Sequence, residues 1–229
     1  MKIGILGTGM VGQIIAAKLE SLQHEVWVGT RDVAKTLAKT ENDAYGNPPF
    51  ATWHQDHPEV KLTTFADATA QSEGLVLNCT SGQVSLSVLQ MVGEDLLNDK
   101  ILVDIANPLD FSQGMPPSLN PVNTNSLGET LQTAFPSVKV VKTLNTMNAH
   151  VMVNPGRIKG DHSVFVSGND DVAKTTVTDL LKTFGWQASN IIDLGDISTA
   201  RGTEMMLPIW LRLYGALGTP EFNFHVQKA

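Results

Sequence analysis

Cysteine is almost missing: the 229 residues hold one, Cys79. A single thiol closes no intrachain disulfide, so a packed core must hold the fold, and such usage fits a reducing compartment, with the cytoplasm as the default expectation. Tyrosine is nearly as scarce. Neither Tyr45 nor Tyr214 is followed four residues later by lysine, which excludes the Tyr-x-x-x-Lys acid/base pair of short-chain dehydrogenases. Positive charge is thin as well. Sixteen Lys and Arg against 23 Asp and Glu leave a net charge of −7, with no basic stripe to neutralise a run of phosphates, so nucleic acid is not an expected partner. No apolar run reaches the ~18 to 20 residues that span a bilayer, and no membrane association is expected. Met1-Lys2 and the following "IGILGTGMVGQIIAA" imitate the basic start and apolar stretch of a secretory signal. The spacing of Gly7, Gly9 and Gly12 and an unbroken passage into a helix and a strand instead read as the first unit of a soluble domain.

At 42% apolar, the chain is long enough for one full core of ~150 residues with an appendage. Short apolar runs alternate with helical patterns. "KIGILG" reads as a buried strand, and Val11, Ile14, Ile15, Leu19 and Leu22 then follow the i, i+3, i+4 spacing of one helix face. "EVWVG", "VKLTTF", "GLVLNC", "KILVDIAN" and "VKVVKTLN" supply five more strands separated by helices. Asn47 before Pro48 and Pro49 suits a helix N-cap with proline in the first turn. Strands that are apolar throughout imply a parallel sheet covered on both faces, a doubly wound α/β domain. We place it at residues 1–145, with a small C-terminal α/β extension over 146–229 made of "HSVFVSGND", a helix, "NIIDLG" and a last apolar helix. Pro108 to Pro121 is the longest irregular loop. It leaves the carboxyl end of the fifth strand, the edge at which ligands bind in open α/β sheets.

Gly7-Thr8-Gly9-Met10-Val11-Gly12 is a G-x-G-x-x-G that follows a strand and opens a helix inside a βαβ unit, the context that makes it a dinucleotide fingerprint. Gly7 serves the tight turn, Gly9 admits the pyrophosphate, Gly12 allows close helix–strand packing, and the helix start attracts the anion. The second strand ends in Thr30 and Arg31 where an acidic ligand for a ribose 2′-hydroxyl would stand. A guanidinium can bind a 2′-phosphate bidentately, Thr30 can donate a hydroxyl hydrogen bond, and Lys35 adds charge one turn on, which points to NADP over NAD. The competing reading makes Arg31 a solvated loop residue and gives the ribose to Asp32.

At the ends of strands four and five, Thr80 and Ser81 can reach a ribose or phosphate, and Asn107 before Pro108 can fix the nicotinamide end; turn chemistry is the competing reading of each, and it weighs least at Asn107. Asp104 and Lys142 should form a structural ion pair. Cys79 reads as a small apolar filler, His150 as a capping or surface residue. The histidines show no metal-ligand spacing beyond His54-x-x-His57, which lacks a third ligand. No nucleophile or acid/base set is recognisable, so no catalytic residue and no metal are assigned. Hydride transfer to a carbonyl usually needs a proton donor; transfer between two stacked conjugated rings needs mainly their alignment. A ring-to-ring reaction suits the chain better.

"IGILGTGMVGQIIAAKL", "VGTRD", the Phe50/Trp53 pair, "LVDIANPL", "VVKTLNTMNA" and "RGTEMMLPIWLRL", in this order, resemble the NADPH-dependent reductases of the deazaflavin coenzyme F-420. The resemblance covers nearly the whole chain. It implies a Rossmann domain with a small C-terminal extension, a homodimer, and hydride transfer between the nicotinamide and the deazaflavin; another flavin-like ring is the open alternative as co-substrate. It puts Gly7 to Gly12, Thr30 and Arg31 on the NADP site, with Asn145, Met147 and the last helix bordering the acceptor. The start of that helix, Arg201 to Met205, would wall the acceptor pocket with Arg201 facing an anionic group. The helix is apolar on almost every face and must be buried, in the core or against a second copy, with Pro208 kinking or restarting it. A ferric or quinone reductase and a non-enzymatic NADP-binding module are the alternatives.

Overall fold

The structure, a computed structural model, describes residues 1–43 and 46–228, so Tyr45 lies outside it. Along the chain run β1 (Lys2–Leu6), α1 (Met10–Ser21), β2 (Glu25–Thr30), α2 (Val33–Ala38), α3 (Phe50–Asp56), β3 (Lys61–Thr64), α4 (Phe65–Gln71) and β4 (Leu75–Asn78). Then come α5 (Gly82–Val92), α6 (Glu94–Leu97), β5 (Ile101–Asp104), β6 (Leu109–Asp110), β7 (Ser118–Leu119), α7 (Leu127–Ala134), β8 (Lys139–Thr143) and α8 (Ala149–Val153). The remainder is β9 (Val164–Gly168), α9 (Asp171–Phe184), β10 (Ile191–Asp193), α10 (Ala200–Met205) and α11 (Leu207–Leu217).

Among the described residues, eight strands form one sheet in the order β10-β9-β8-β5-β4-β1-β2-β3. Its strands are apolar on both sides because both faces are covered. Ile3, Ile5, Val26, Val28 and Leu77 pack under α1, α8 and α9, while Val76, Leu102 and Val140 pack under α4, α5 and α7. The period-two alternation of a strand thus feeds two cores. No described helix is long and apolar enough to cross a membrane.

The sheet is mostly parallel, with one departure. β9 runs antiparallel to β8, and β10 parallel to β9. After five-residue α8 the chain enters β9 at the edge where β8 stopped. Fourteen-residue α9 then returns the chain to the opposite edge; Asp170 caps its start by accepting from the Ala173 N–H at 2.7 Å, and Gly185 ends it in the left-handed region.

Three local expectations need correction. Pro49, not Asn47, stands at the N-cap of α3, and the Asn47 amide donates instead to Asp43 at 2.8 Å. The loop after β5 is not wholly irregular, since β6 and β7 pair as a short antiparallel arm. The last apolar helix breaks at Met206 and restarts with Pro208 in its first turn, yet α11 does not sink into the core. Leu207 is its one buried residue, while Ile209 and Leu217 are half exposed. The segment after it folds back on β9, where the Ser163 N–H donates to the Phe224 carbonyl at 2.8 Å.

Candidate functional site

Strand order reverses at β1, flanked by β2 on one side and β4 on the other. Such a switch point opens a crevice at the carboxyl ends of the strands. The glycine loop sits in it. Gly7 has φ +116°, and a Cβ there would lie 2.8 Å from the Cys79 carbonyl oxygen; a Cβ on Gly12 would lie 2.2 Å from the Gly7 oxygen. Neither position tolerates a side chain. A Cβ on Gly9 meets nothing within 4 Å. Gly9 N-caps α1 with no side-chain bond, so the first N–H groups of a twelve-residue helix face open space. Thr8, Met10 and Val11 complete the turn, and the Gln13 amide braces it by donating to the Thr8 carbonyl at 2.9 Å. Beneath it, burial and the nearby Asp104 charge push the Cys79 thiol well above the usual thiol range, which fits an inert filler.

On the β2 side, a cavity of about 490 Å³ separates this loop from the strand end and is lined by Thr30, Arg31, Lys35 and Lys39. Arg31 is exposed at its rim. Asp32 is otherwise engaged: its Oδ1 accepts from the Lys35 N–H at 3.0 Å, capping α2, and its Oδ2 lies 3.7 Å from Lys35 Nζ. A carboxylate fixed on a helix start is poorly placed for a ribose hydroxyl. Thr30 differs from expectation. The Thr36 hydroxyl donates to the Asp32 carbonyl at 2.9 Å, so in its 2.7 Å contact with Thr36 the proton must come from Thr30. The Thr30 hydroxyl therefore offers lone pairs, not a proton, in this arrangement.

On the β4–β5–β8 side the polar side chains bind one another. Thr80 donates to Asn78 Oδ1 at 2.6 Å and lies 2.9 Å from the Ser85 hydroxyl. Ser81 is exposed at the N-cap of α5. Asn107 and Asn145 form a reciprocal pair, Asn107 donating to the Asn145 carbonyl at 2.8 Å and Asn145 to Asn107 Oδ1 at 3.0 Å. Pro108 is buried beside them. A Cβ on Gly82 would fall 2.2 Å from the Asn107 oxygen, so α5 and the end of β5 are in backbone contact.

The expected Asp104–Lys142 pair forms at 2.8 Å with both side chains at 0% exposure. A third member joins it: Glu204 of α10 sits 2.8 Å from Lys142 and accepts from the Leu127 and Gly128 N–H groups at the start of α7. Burial opposes the lysine charge, but the two carboxylates overcome that penalty and hold Lys142 above its ordinary range.

This fold and crevice have close counterparts. The family model described as "NADP oxidoreductase coenzyme F420-dependent" matches residues 2–108. A crystal structure from Arthrobacter sp. FB24, provisionally assigned as an F-420-dependent NADP reductase, is 58% identical over 100% of both chains, with a TM-score of 0.94. The chain belongs to the F-420-dependent NADP oxidoreductases. It is also 25% identical over 213 residues to metalloreductase STEAP3 of Rattus norvegicus, covering 91% of this chain but only 38% of that relative's length. An imine reductase from Aspergillus terreus shares the fold at 17% identity and a TM-score of 0.60, over 95% of this chain and 62% of its own.

In this NADP-dependent oxidoreductase the residues expected at the acceptor do not converge as pictured. Arg201 is not left facing outward for an anion. Its guanidinium makes a two-point pair with Glu129 of α7, Nε to Oε2 at 2.8 Å and Nη2 to Oε1 at 2.5 Å. Met147 is 6% exposed and belongs to the core, whereas Met205 is partly exposed at the end of α10. His150 is exposed at the start of α8. His54 lies 2.6 Å from the Val60 carbonyl and His57 2.5 Å from Glu20, so the two rings have separate partners. Sequence reasoning gave no role to Gln13, Lys39 or Glu204. The signal for Glu204 was present, a lone carboxylate in the apolar "GTEMML".

Proposed function

We propose that the chain binds NADPH across the β1 switch point and passes hydride to a deazaflavin- or flavin-like ring. The observation that carries this is the cavity joining the G-x-G-x-x-G turn to the cationic end of β2. The open N-terminus of α1 suits the pyrophosphate. Arg31, Lys35 and Lys39 would take the adenosine 2′-phosphate, which no neutral ribose hydroxyl requires. The nicotinamide would lie over β4, β5 and β8, near Thr80, Ser81, Asn107, Pro108 and Asn145, and supplies a hydride when reduced. The chain's own part is to orient that ring and to keep a dry floor under it.

Support for a ring acceptor comes from the same floor. Its titratable groups, Asp104 and Lys142, are fully buried and bound to each other, so they offer no proton to a substrate carbonyl. Stacked conjugated rings need none during the transfer. The likeness to a metalloreductase over 91% of the chain favours a second reading, reduction of a ferric or quinone acceptor. NADPH absorbance decides between them: loss on adding deazaflavin, with riboflavin, FMN and ferric chelate inert, is expected. Turnover with ferric chelate or a quinone alone would transfer the assignment to the second reading. Tight NADPH binding with no turnover on any acceptor would leave a binding module. The apolar flank of α11, with Ile209, Tyr214 and Leu217 exposed, supports a homodimer in which a second copy covers it.

A further inference from the structure

The three donors of the Lys142 ammonium are all assigned: to Asp104 Oδ2 at 2.8 Å, to Glu204 Oε1 at 2.8 Å, and to the carbonyl of Ala106 at 2.5 Å. The other oxygen of Asp104 accepts from the Ala106 N–H at 3.3 Å and from the Asn78 amide at 2.8 Å. Both backbone polar groups of Ala106 are therefore gripped by one buried ion cluster. Ala106 lies just beyond the end of β5, and the next residue is Asn107, the partner of Asn145. Through Asn78 the same cluster reaches Thr80 at the end of β4, and through Glu204 it reaches α10 and the start of α7.

A core lysine between two carboxylates gains little in stability over a well-packed apolar replacement, because desolvation consumes most of the attraction. Its distinctive property is directional: a charged hydrogen-bonding hub fixes neighbouring groups in one geometry. Here the gripped peptide is the floor of the crevice half where the nicotinamide is proposed to lie.

We infer that Lys142, paired with Asp104, is a positioning residue that fixes the Ala106–Asn107 peptide and so sets the nicotinamide ring in its reacting pose. The inference rests on the proposed cofactor site. Lys142 touches neither cofactor nor acceptor; it acts through Ala106 and Asn107. Pyrophosphate and 2′-phosphate contacts lie on the other side of β1, so loosening this floor frees the ring without releasing the dinucleotide.

The test compares two variants with the wild-type protein. Lys142→Met alone strands two buried carboxylates, so it is combined with Asp104→Asn and Glu204→Gln, which removes every charge while the carboxamide oxygens still accept from the backbone. Glu204→Gln alone leaves a neutral Lys142–Asp104 pair with the grip on Ala106 intact. NADPH affinity is read by calorimetry, and nicotinamide immobilisation by the fluorescence lifetime of bound NADPH, which needs no acceptor. The triple variant is expected to bind NADPH within about threefold of wild type, with its lifetime shortened toward that of free NADPH. Glu204→Gln should keep the wild-type lifetime. With an acceptor that the wild type uses, single-turnover hydride transfer by the triple variant should slow by about a hundredfold, the scale of a 1 Å misplacement. An unchanged lifetime in the folded triple variant, or affinity and lifetime falling together, would overturn the inference. If the triple variant does not fold, hydrogen exchange of the wild type still decides: the Ala106 N–H should be as protected as that of Val103 in β5, and fast local exchange at Ala106 refutes the grip. A wild type that binds no NADPH fails the cofactor site itself, and the inference with it.

Discussion

Replacing Arg31 with alanine tests the cofactor assignment through one phosphate group. The guanidinium stands at the rim of the 490 Å³ cavity, opposite the turn that would hold the pyrophosphate. A hydrogen bond to a charged group contributes about 1.5 to 3 kcal/mol. Arg31 is exposed, where solvent and salt weaken it, so the lower part of that range applies. Lys35 and Lys39 remain in place and keep part of the field, although Lys35 is 87% exposed and shares its charge with Asp32. The expected loss is about 1.5 to 2 kcal/mol, or about ten- to thirtyfold in NADPH affinity. It should shrink as ionic strength rises. NADH, which lacks the phosphate, should bind the variant as it binds the parent protein. Titration calorimetry of the variant and the parent protein with both dinucleotides, at low and high salt, gives the four affinity ratios needed. Equal weakening of NADPH and NADH would show that Arg31 shapes the loop and does not read the phosphate, and the placement of the adenosine half would fall.

Gly12→Ala puts a methyl group 2.2 Å from the Gly7 carbonyl, forcing α1 off the loop; NADPH affinity should drop at least about tenfold while circular dichroism stays native, and intact affinity would show that the loop is not the anion site. The two-point pair with Arg201, against a smaller opposing effect of burial, holds the Glu129 carboxyl below its ordinary value of 4.5. A depressed folded value means stability that is present above the ordinary one and lost as pH falls through the folded one, so urea midpoints should decline on acidification. Glu129→Gln should flatten that decline; an unchanged slope means the pair does not couple to folding. Lysines at Ile209 and Leu217 should turn the proposed dimer into a monomer in sedimentation velocity, and a wild type already monomeric at tens of micromolar rejects a second copy as the cover of α11.

Much of this protein is written in short-range patterns. Runs such as "KIGIL" and the i, i+3, i+4 series of α1 specify their elements because burial on both faces of a sheet, or on one face of a helix, leaves a period that can be counted. The glycine turn is legible for a similar reason, since a steric demand at three positions survives as three residues without side chains. The Arg31 signal is equally local: one charge at one strand end. The direction of β9 was not legible, because an apolar run shows that a strand is buried on both faces and not which way it pairs. Hydrogen-bond commitments were hidden as well. Only the folded chain shows that the Thr30 proton goes to Thr36, that Arg201 closes on Glu129, and that Glu204, 62 residues beyond Lys142 in sequence, completes its cluster. From sequence alone come the layers of the sheet, the glycine turn at its edge and the charge at the end of β2, all set by neighbours a few residues apart. Tertiary structure decided which polar groups stay open to a ligand, because a donor has few bonds to give and its competitors lie on other elements.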